Sequence, residues 1–561
     1  MKKTPSRTAN LKFIQRLIVL LFWMSSTSAT FCQVTDFQLN HPAYFFTEME
    51  DIRQKNSTST TLKPYSREIV AETFIDSSNS YLSLEARRFT DDSTRSKKPI
   101  LKKLYSYPAD LFYYQDKSLT LHLNPYFQFS YGVTNDAINS TFVNTRGIEV
   151  RGNFNERIAF YSVVSENQAR FPDFVNDVRD STLAHPYEGF WKSFNDTGID
   201  FLRAQGYIDF GITKSISAQF GFGKHFIGNG YRSLILSDFS NNYPYLRINT
   251  STKIFDYTNI FGELLGDLRG NADGLFGTGA FSTKYMALHH LNIKIRPNLH
   301  IGIFESVMYG DTTGGLKVSY LNPIIFYRAI EQQNGSEDNA FLGLDFKWNF
   351  LQKFSLYGQL SIDEMIFSEV FSQNGWWGNK QGYQLGLKYV DAFSVKNLML
   401  QAEFNKVRPY MYAHEDAFTS YSHYNSALAH PLGANFSEIF ARAIYQIGER
   451  WTVEGNLLFA RYGNDLGNVN YGRDILKDYI IRVPNENGSG SREFGNDHLQ
   501  GNLTTLTMGF GRITYMPRHN LFIDLEGTWR REKDESDRID LSTSWIGASV
   551  RFNVQRNSYL F

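Results

Sequence analysis

Three histidines, His414, His423 and His430, lie close together in a chain that holds only 12 in 561 residues. The last two belong to "YSHYNSALAHPLGANFSE", Tyr421 to Glu438, where tyrosines, serines and a Pro-Leu-Gly turn surround them. Such a cluster suggests a metal site or a general base. The spacings of nine and seven argue against metal, because imidazoles that share an ion come from tight pairs on one helix or strand, or from Cys/His patterns. The single cysteine, Cys32, is far away in sequence. No Gly-x-Ser-x-Gly elbow supplies a nucleophile. In "GKHFIGNGYRSL", Gly228 and Gly230 lack the Lys-Ser/Thr and the helix that a phosphate loop needs, and better suit a loop folding back into the structure. We therefore expect no catalytic residue, no metal and no cofactor.

Sugar binding is the chemistry these residue types suit. Rings stack on the apolar face of a saccharide while Asn, Asp, Glu and His meet its hydroxyls. Trp191 in "HPYEGFWKSF", Trp376 and Trp377 in "SQNGWWGNKQGY", and Tyr421, His423 and Tyr424 are the carbohydrate-binding candidates. Interfacial or loop-packing roles are the competing account of the same rings. A second set is charged: Arg203, Asp345, Lys347, Glu403, Arg442, Asp524 and Glu526, together with Asp209, Glu263, Glu454, Arg530 and Arg551. Their mixed signs suit ion pairs that cross an enclosed interior better than a pore selective for one charge.

The elements that must carry these residues are strands. From Leu119 onward apolar residues recur at every second position, the period of a strand with one apolar face. In "FLGLDFKWNF", Leu342, Leu344, Phe346, Trp348 and Phe350 alternate with Gly343, Asp345, Lys347 and Asn349. "LFIDLEGTWRR" repeats the pattern from Leu521 to Arg531. About eighteen such segments start near residues 118, 143, 156, 200, 214, 244, 257, 281, 298, 340, 353, 381, 396, 437, 449, 501, 518 and 542. Tight turns, such as those at Asn153, Ile212, Arg296, Leu351, Ile447 and Met516, alternate with long connections near 168–199, 310–339, 410–436 and 463–499. That rhythm belongs to an all-β, antiparallel up-and-down transmembrane barrel with short periplasmic turns and long outer loops. An even count leaves both ends on the periplasmic side, and places the cluster at Tyr421–Glu438 outside the cell. The last segment, Ser544 to Val554, and the terminal Phe561 resemble the aromatic assembly signal of such barrels.

Composition agrees. Aromatic residues reach 16% while mean hydropathy is −0.36, a combination that favours two-faced strands over helices with Leu/Ala cores. Net charge is zero, with 57 basic and 57 acidic residues, so nothing favours nucleic acid. The basic start, the apolar run Leu17 to Met24 and the small residues after it read as an export signal, which makes 1–32 a signal peptide. Phe31 before Cys32 argues against lipidation. Residues 33–116 form a small N-terminal periplasmic region with a helix near Ala43 to Lys55 and a basic patch from Arg95 to Lys103. The barrel occupies 117–554, and 555–561 are a C-terminal tail.

Three blocks, "GNGYRSLILSDFSNNYPYLRI", "LNPIIFYRAIEQQNGSEDNAFLGLDFKW" and "YSHYNSALAHPLGANFSEIFARAIYQ", resemble the capsule assembly protein Wzi family as found in Bacteroidetes, including the gliding motility protein RemB. The resemblance implies a plugged, eighteen-stranded outer-membrane lectin that holds capsular polysaccharide. It carries no sugar-binding residue across by motif. We expect a non-enzymatic outer-membrane protein that binds or organises surface polysaccharide through extracellular loops, in capsule or exopolysaccharide assembly or in gliding and adhesion. A channel for a polar solute is the alternative, and an outer-membrane hydrolase ranks third. Its expected partners are surface polysaccharide, outer-membrane lipid, the barrel assembly machinery, and gliding or capsule export components.

Overall fold

The computed structural model describes residues 35–561 apart from 55–57, 76–109, 156, 267–281, 311–314, 325, 335–337, 486, 489, 537 and 556. The expected signal peptide, the basic patch at 95–103 and much of the N-terminal region lie outside the described residues.

Eighteen strands close into one antiparallel barrel, each bonded to its neighbours in sequence. They are β1 (Leu119–Thr134), β2 (Ser140–Phe154), β3 (Ile158–Arg170), β4 (Gly198–Gly211), β5 (Ile216–Gly223), β6 (Tyr243–Ser251), β7 (Phe255–Leu265), β8 (Thr283–Arg296) and β9 (Leu299–Tyr309). They continue with β10 (Asn339–Phe350), β11 (Phe354–Glu364), β12 (Lys380–Val390), β13 (Leu398–Val407), β14 (Phe436–Ile447), β15 (Trp451–Asn464), β16 (Asn502–Arg518), β17 (Leu521–Asp534) and β18 (Asp540–Phe552). β18 closes onto β1, with Val550 opposite Phe129. Every start falls within three residues of its expected position. Closure is what a bilayer requires, since an open edge would leave backbone groups without partners in hydrocarbon.

The alternation sorts side chains as the period predicted. On β10, Leu342, Leu344 and Trp348 are exposed outward, whereas Asp345, Lys347 and Asn349 are buried inward. Ile523, Leu525 and Trp529 on β17 likewise face outward, opposite buried Asp524, Glu526 and Arg530. Glu263 departs from the expectation: it is exposed next to buried Gly262 and Leu264, on the outward face of β7. At the short-turn rim Trp348, Phe350, Phe354 and Tyr389 stack in sequence at centroid distances of 4.8, 5.4 and 4.5 Å, an interfacial girdle. The opposite rim carries the long connections, except that β1–β2 and β17–β18 are joined by short ones at 135–139 and 535–539.

The interior is filled. From the short-turn rim the N-terminal segment enters with helix α1 (Pro42–Gln54), whose extent matches the helix read from the sequence. A short helix, α2 (Arg67–Ile75), follows. From the long-loop rim the connections at 224–242 and 408–435 fold inward, and their Leu234, Ile235, Leu236, Met411, Tyr412, Tyr421 and Leu428 build the main apolar core. Each such fully buried aliphatic or aromatic side chain contributes about 2 kcal/mol relative to exposure. Residues 62–63 pair in a small antiparallel sheet with Phe226–Ile227, joining the two halves of the plug. The glycines serve this loop: Gly228 has φ 145°, and a Cβ at Gly230 would collide with the Glu403 carboxylate.

Candidate functional site

Inward charges are matched mainly by the plug rather than by one another. Lys347 donates to Asp51 of α1 at 2.9 Å and to Thr58 and Thr60. Glu48 lies 2.6 Å from Lys388 and 3.3 Å from Lys63, and Asp36 lies 3.0 Å from Arg247. Arg203 pairs with Glu188 of the β3–β4 connection. Glu403 accepts the backbone N–H groups of Tyr231 and Arg232 at 2.8 and 3.1 Å and the Tyr357 hydroxyl at 2.9 Å. Asp345 meets His290 at 2.6 Å. Two expected members find each other's neighbours on the wall: Arg442 bonds Glu454 at 2.8 Å, and Asp524 bonds Arg551 at 2.6 Å. Glu526 is buried on the inward face of β17. Of the wall residues that meet the plug, the sequence reading named Lys347, Arg203 and Glu403 but not Lys388 or Arg247; Asp36, Glu48, Asp51 and Glu188 carry no pattern that distinguishes them from surface acids.

The histidine cluster comes apart into separate structural duties. His414 Nδ1 meets Thr419 at 2.8 Å, and His430 lies 3.1 Å from Glu438, which Arg232 also holds at 3.3 Å. His423 Nδ1 accepts the Leu265 N–H at 3.0 Å, which fixes the proton on Nε2, and that N–H donates to the Asn242 carbonyl at 3.1 Å. Burial lowers its pKa to about 3, so the ring is neutral. The Tyr421 hydroxyl donates to the Ile235 carbonyl at 2.8 Å. Tyr421 and His423 are thus buried internal fasteners between two loops, with no surface to offer outside.

The tail closes the plug from within. β18 ends at Phe552, so the terminal Phe561 is not the end of the last strand; residues 553–555 and 557–561 run up into the interior instead. Arg530 donates to the Phe561 carbonyl oxygen at 3.1 Å, Tyr187 to that of Ser558 at 2.8 Å, and Arg232 to that of Leu560. The Phe561 ring is buried against Phe239 and Phe174, at 5.6 and 6.2 Å between centroids.

Two cavities flank this layer. A chamber of about 240 Å³ lies beneath it, bordered by α1 and by Arg442, Arg450, Glu454 and Arg512. Above it a cleft of about 680 Å³ opens at the loop rim, between the connections after β3, β5, β13, β15 and β17. Phe239 and Pro431 border both, so they form the partition. The cleft's charged lining is balanced: Asp465, Asp474 and Asp534 against Arg473, Lys477 and Arg538. Lys477 and Asp465 pair at 3.0 Å, and Asn502 donates to Asp534 at 2.6 Å. With Asn425, Ser426 and Asn464 beside them, these groups can exchange hydrogen bonds with a hydroxyl-rich molecule without demanding net charge.

Of the aromatic candidates, Trp377 is packed between Tyr479, 4.7 Å away, and the Arg482 guanidinium at 4.0 Å, with Trp376 half-exposed beside it. Trp191 lies under the Arg179 guanidinium at 4.6 Å. Tyr424 is half-buried beside Gly189. The structure therefore spreads these rings over several places and does not gather them in one pocket. The cleft was not legible in the sequence, because its lining comes from short runs in five separate connections and from the ends of three strands.

Fold and interior together define a plugged outer-membrane β-barrel. More narrowly, the chain belongs to the capsule assembly protein Wzi family, whose family model matches residues 117–494. No curated protein matches the sequence. Among solved structures the chain is similar to Wzi of Escherichia coli, an outer-membrane protein involved in group 1 capsule assembly and described as a carbohydrate-binding β-barrel. The TM-score is 0.54 at 11% identity, covering 93% of this chain and 100% of that one. OprD of Pseudomonas aeruginosa aligns with a TM-score of 0.40 at 11% identity, covering 79% and 96%.

Proposed function

We propose that this barrel binds surface polysaccharide at the outer cleft, as a non-enzymatic anchor in capsule or exopolysaccharide assembly. The observation that carries the reading is the charge-balanced 680 Å³ cleft on the outer side of a filled lumen. A saccharide offers many hydroxyls and little apolar surface, and the cleft offers carboxylates, amides and cations at matching density. The carbohydrate binding of the Escherichia coli relative supports the same reading. The filled interior favours binding over the channel alternative. The three sequence blocks quoted above favour the Bacteroidetes, RemB-like branch, in which a gliding or adhesion role stands beside capsule assembly. The contact set we propose in the cleft is Asn425, Lys477 and Arg538, with Trp376 as a separate stacking position outside the cleft lining; Tyr421 and His423 act behind the cleft as supports.

Titration of the purified protein against surface polysaccharide from its own cells, followed by a glycan array, tests this. Lys477→Ala, Arg538→Ala and Trp376→Ala should each weaken binding about tenfold, roughly the loss of one hydrogen bond to a charged group or one stacking contact. Unchanged affinity in all three would sink the site assignment; a wild-type protein that retains no glycan would sink the function.

A further inference from the structure

On the outer wall, at one level of three adjacent strands, the apolar face is interrupted. Asn259 of β7 is the register partner of His289 of β8, and His289 is that of Glu305 of β9. All three are buried, although they point away from the lumen. Their orientation follows from their neighbours. Phe304 and Met308 of β9 belong to the interior core, while Ile303 and Ile301, two and four positions from Glu305, are exposed outward. Glu305 lies six residues above the first residue of β9, which at about 3.3 Å per residue and about 40° tilt is about 15 Å above the girdle, inside an apolar band about 25 Å tall.

What covers the row is the connection between β9 and β10. Helix α3 (Asp173–Thr182) belongs to the plug, but α4 (Tyr327–Asn334) and the turn at Val318–Leu321 lie against the outside of the wall. Glu305 accepts the Arg328 N–H at 3.1 Å, and the Tyr257 hydroxyl donates to the Pro323 carbonyl. Tyr327 lies tilted against His289 at 4.1 Å, and Tyr320 packs on Tyr309 at 4.7 Å. Asp338 fastens the turn, taking bonds from Lys317 at 2.7 Å and Tyr320 at 2.6 Å. Away from the wall the stretch that precedes α4 is apolar and uncovered, with Val318, Ile324 and Phe326 72%, 84% and 73% exposed, whereas α4 itself turns Arg328, Gln332 and Gln333 outward.

We propose that residues 315–324 and 326–334 form a collar in the outer leaflet, held to the wall by Tyr320, Tyr327 and the bonds to Tyr257 and Glu305, with Val318, Ile324 and Phe326 against lipid acyl chains and the polar residues of α4 reaching toward the headgroups. Continuity with the lipid-facing belt names the occupant, because Ile303 and Leu342 flank the covered row and are themselves exposed to the bilayer. A loop in water would have no reason to turn Ile324 and Phe326 outward and spend its polar groups on a membrane wall.

The full chain with Cys32→Ser and a single bimane-labelled cysteine at Ile324 or Phe326, in vesicles of dibrominated phosphatidylcholine, tests the collar. Leu344→Cys serves as the wall control and Phe371→Cys as the aqueous one. Quenching at 324 and 326 by brominated acyl chains, to at least half the extent seen at 344, with iodide ineffective, supports it. Quenching by iodide and not by bromine overturns it, and so does protection from both with a crosslinkable dimer, which would make a second copy the occupant. A second arm uses the wall: shortening 315–334 to a tight turn should abolish the heat-modifiable folded band in the natural wall but spare it with His289→Leu and Glu305→Leu. Equal loss in both backgrounds would overturn the clasp.

Discussion

Lys347 of β10 and Asp51 of α1 meet at 2.9 Å inside the barrel, both side chains almost wholly buried. The residues are 296 positions apart, and their contact places the N-terminal segment within the lumen. Removing one partner of such a pair strands the other charge, at about 3–5 kcal/mol. Lys347→Met should therefore loosen α1 while the eighteen strands hold. Hydrogen exchange at 42–54 should rise, with exchange in the strands unchanged. Adding Asp51→Leu should recover most of the protection.

Filling of the lumen sets an electrical expectation. The intact protein in a planar bilayer should carry no steady current, because α1, the inward loops and the tail occupy the barrel. Deleting 36–66 should leave the current closed, because the core of Leu234, Tyr412, Tyr421 and Phe561 stays across the lumen; deleting 36–66 together with most of 224–242 and 408–435 should open it. A stable open state in the intact protein would restore the channel reading.

The tail gives a third test. Phe561 is buried with its carbonyl bonded to Arg530, whereas the last strand is complete at Phe552. A charged extension after Phe561 should displace the tail without preventing barrel assembly. Limited proteolysis should then cleave near 555–558, with the heat-modifiable band retained.

Arg232 joins the loop plug to β14 and to the tail, through Glu438 and the Leu560 carbonyl. Arg232→Ala should cost about 3–5 kcal/mol locally. Exchange protection should fall together at 224–242 and 553–561, two segments that a purely local defect would not link.

Acid should loosen the plug. Burial lowers His423 and His185 to about 3, below their unfolded value near 6.5. Between those limits the unfolded segment binds more protons, so the contribution is complete above pH 6.5 and is lost as pH falls toward 3, at about 1.4 kcal/mol per pH unit for each ring. Lys284 and Lys224 act on His423 in the same direction. Exchange at 420–432 should rise from pH 6.5 to pH 4.5, and His423→Gln should flatten that dependence.

The sequence by itself determined the barrel. Strand period, eighteen segments, the inward and outward faces and the helix at α1 are all local properties, because a side chain's face depends only on its place in the pleat. It also identified Lys347, Glu403, Arg442 and Asp524 as interior charges. Tertiary structure alone decided their partners, since an inward lysine accepts any acid that the plug brings to it, and Asp51 reads locally as one more helix acid. The row Asn259, His289 and Glu305 is visible only once register aligns three strands. Tyr421 and His423 show the same limit in the opposite sense: ring and imidazole chemistry can be read from residue types, but accessibility is set by which loop folds over them. Here the loops fold inward, and what resembled a contact surface became the fastening of the plug.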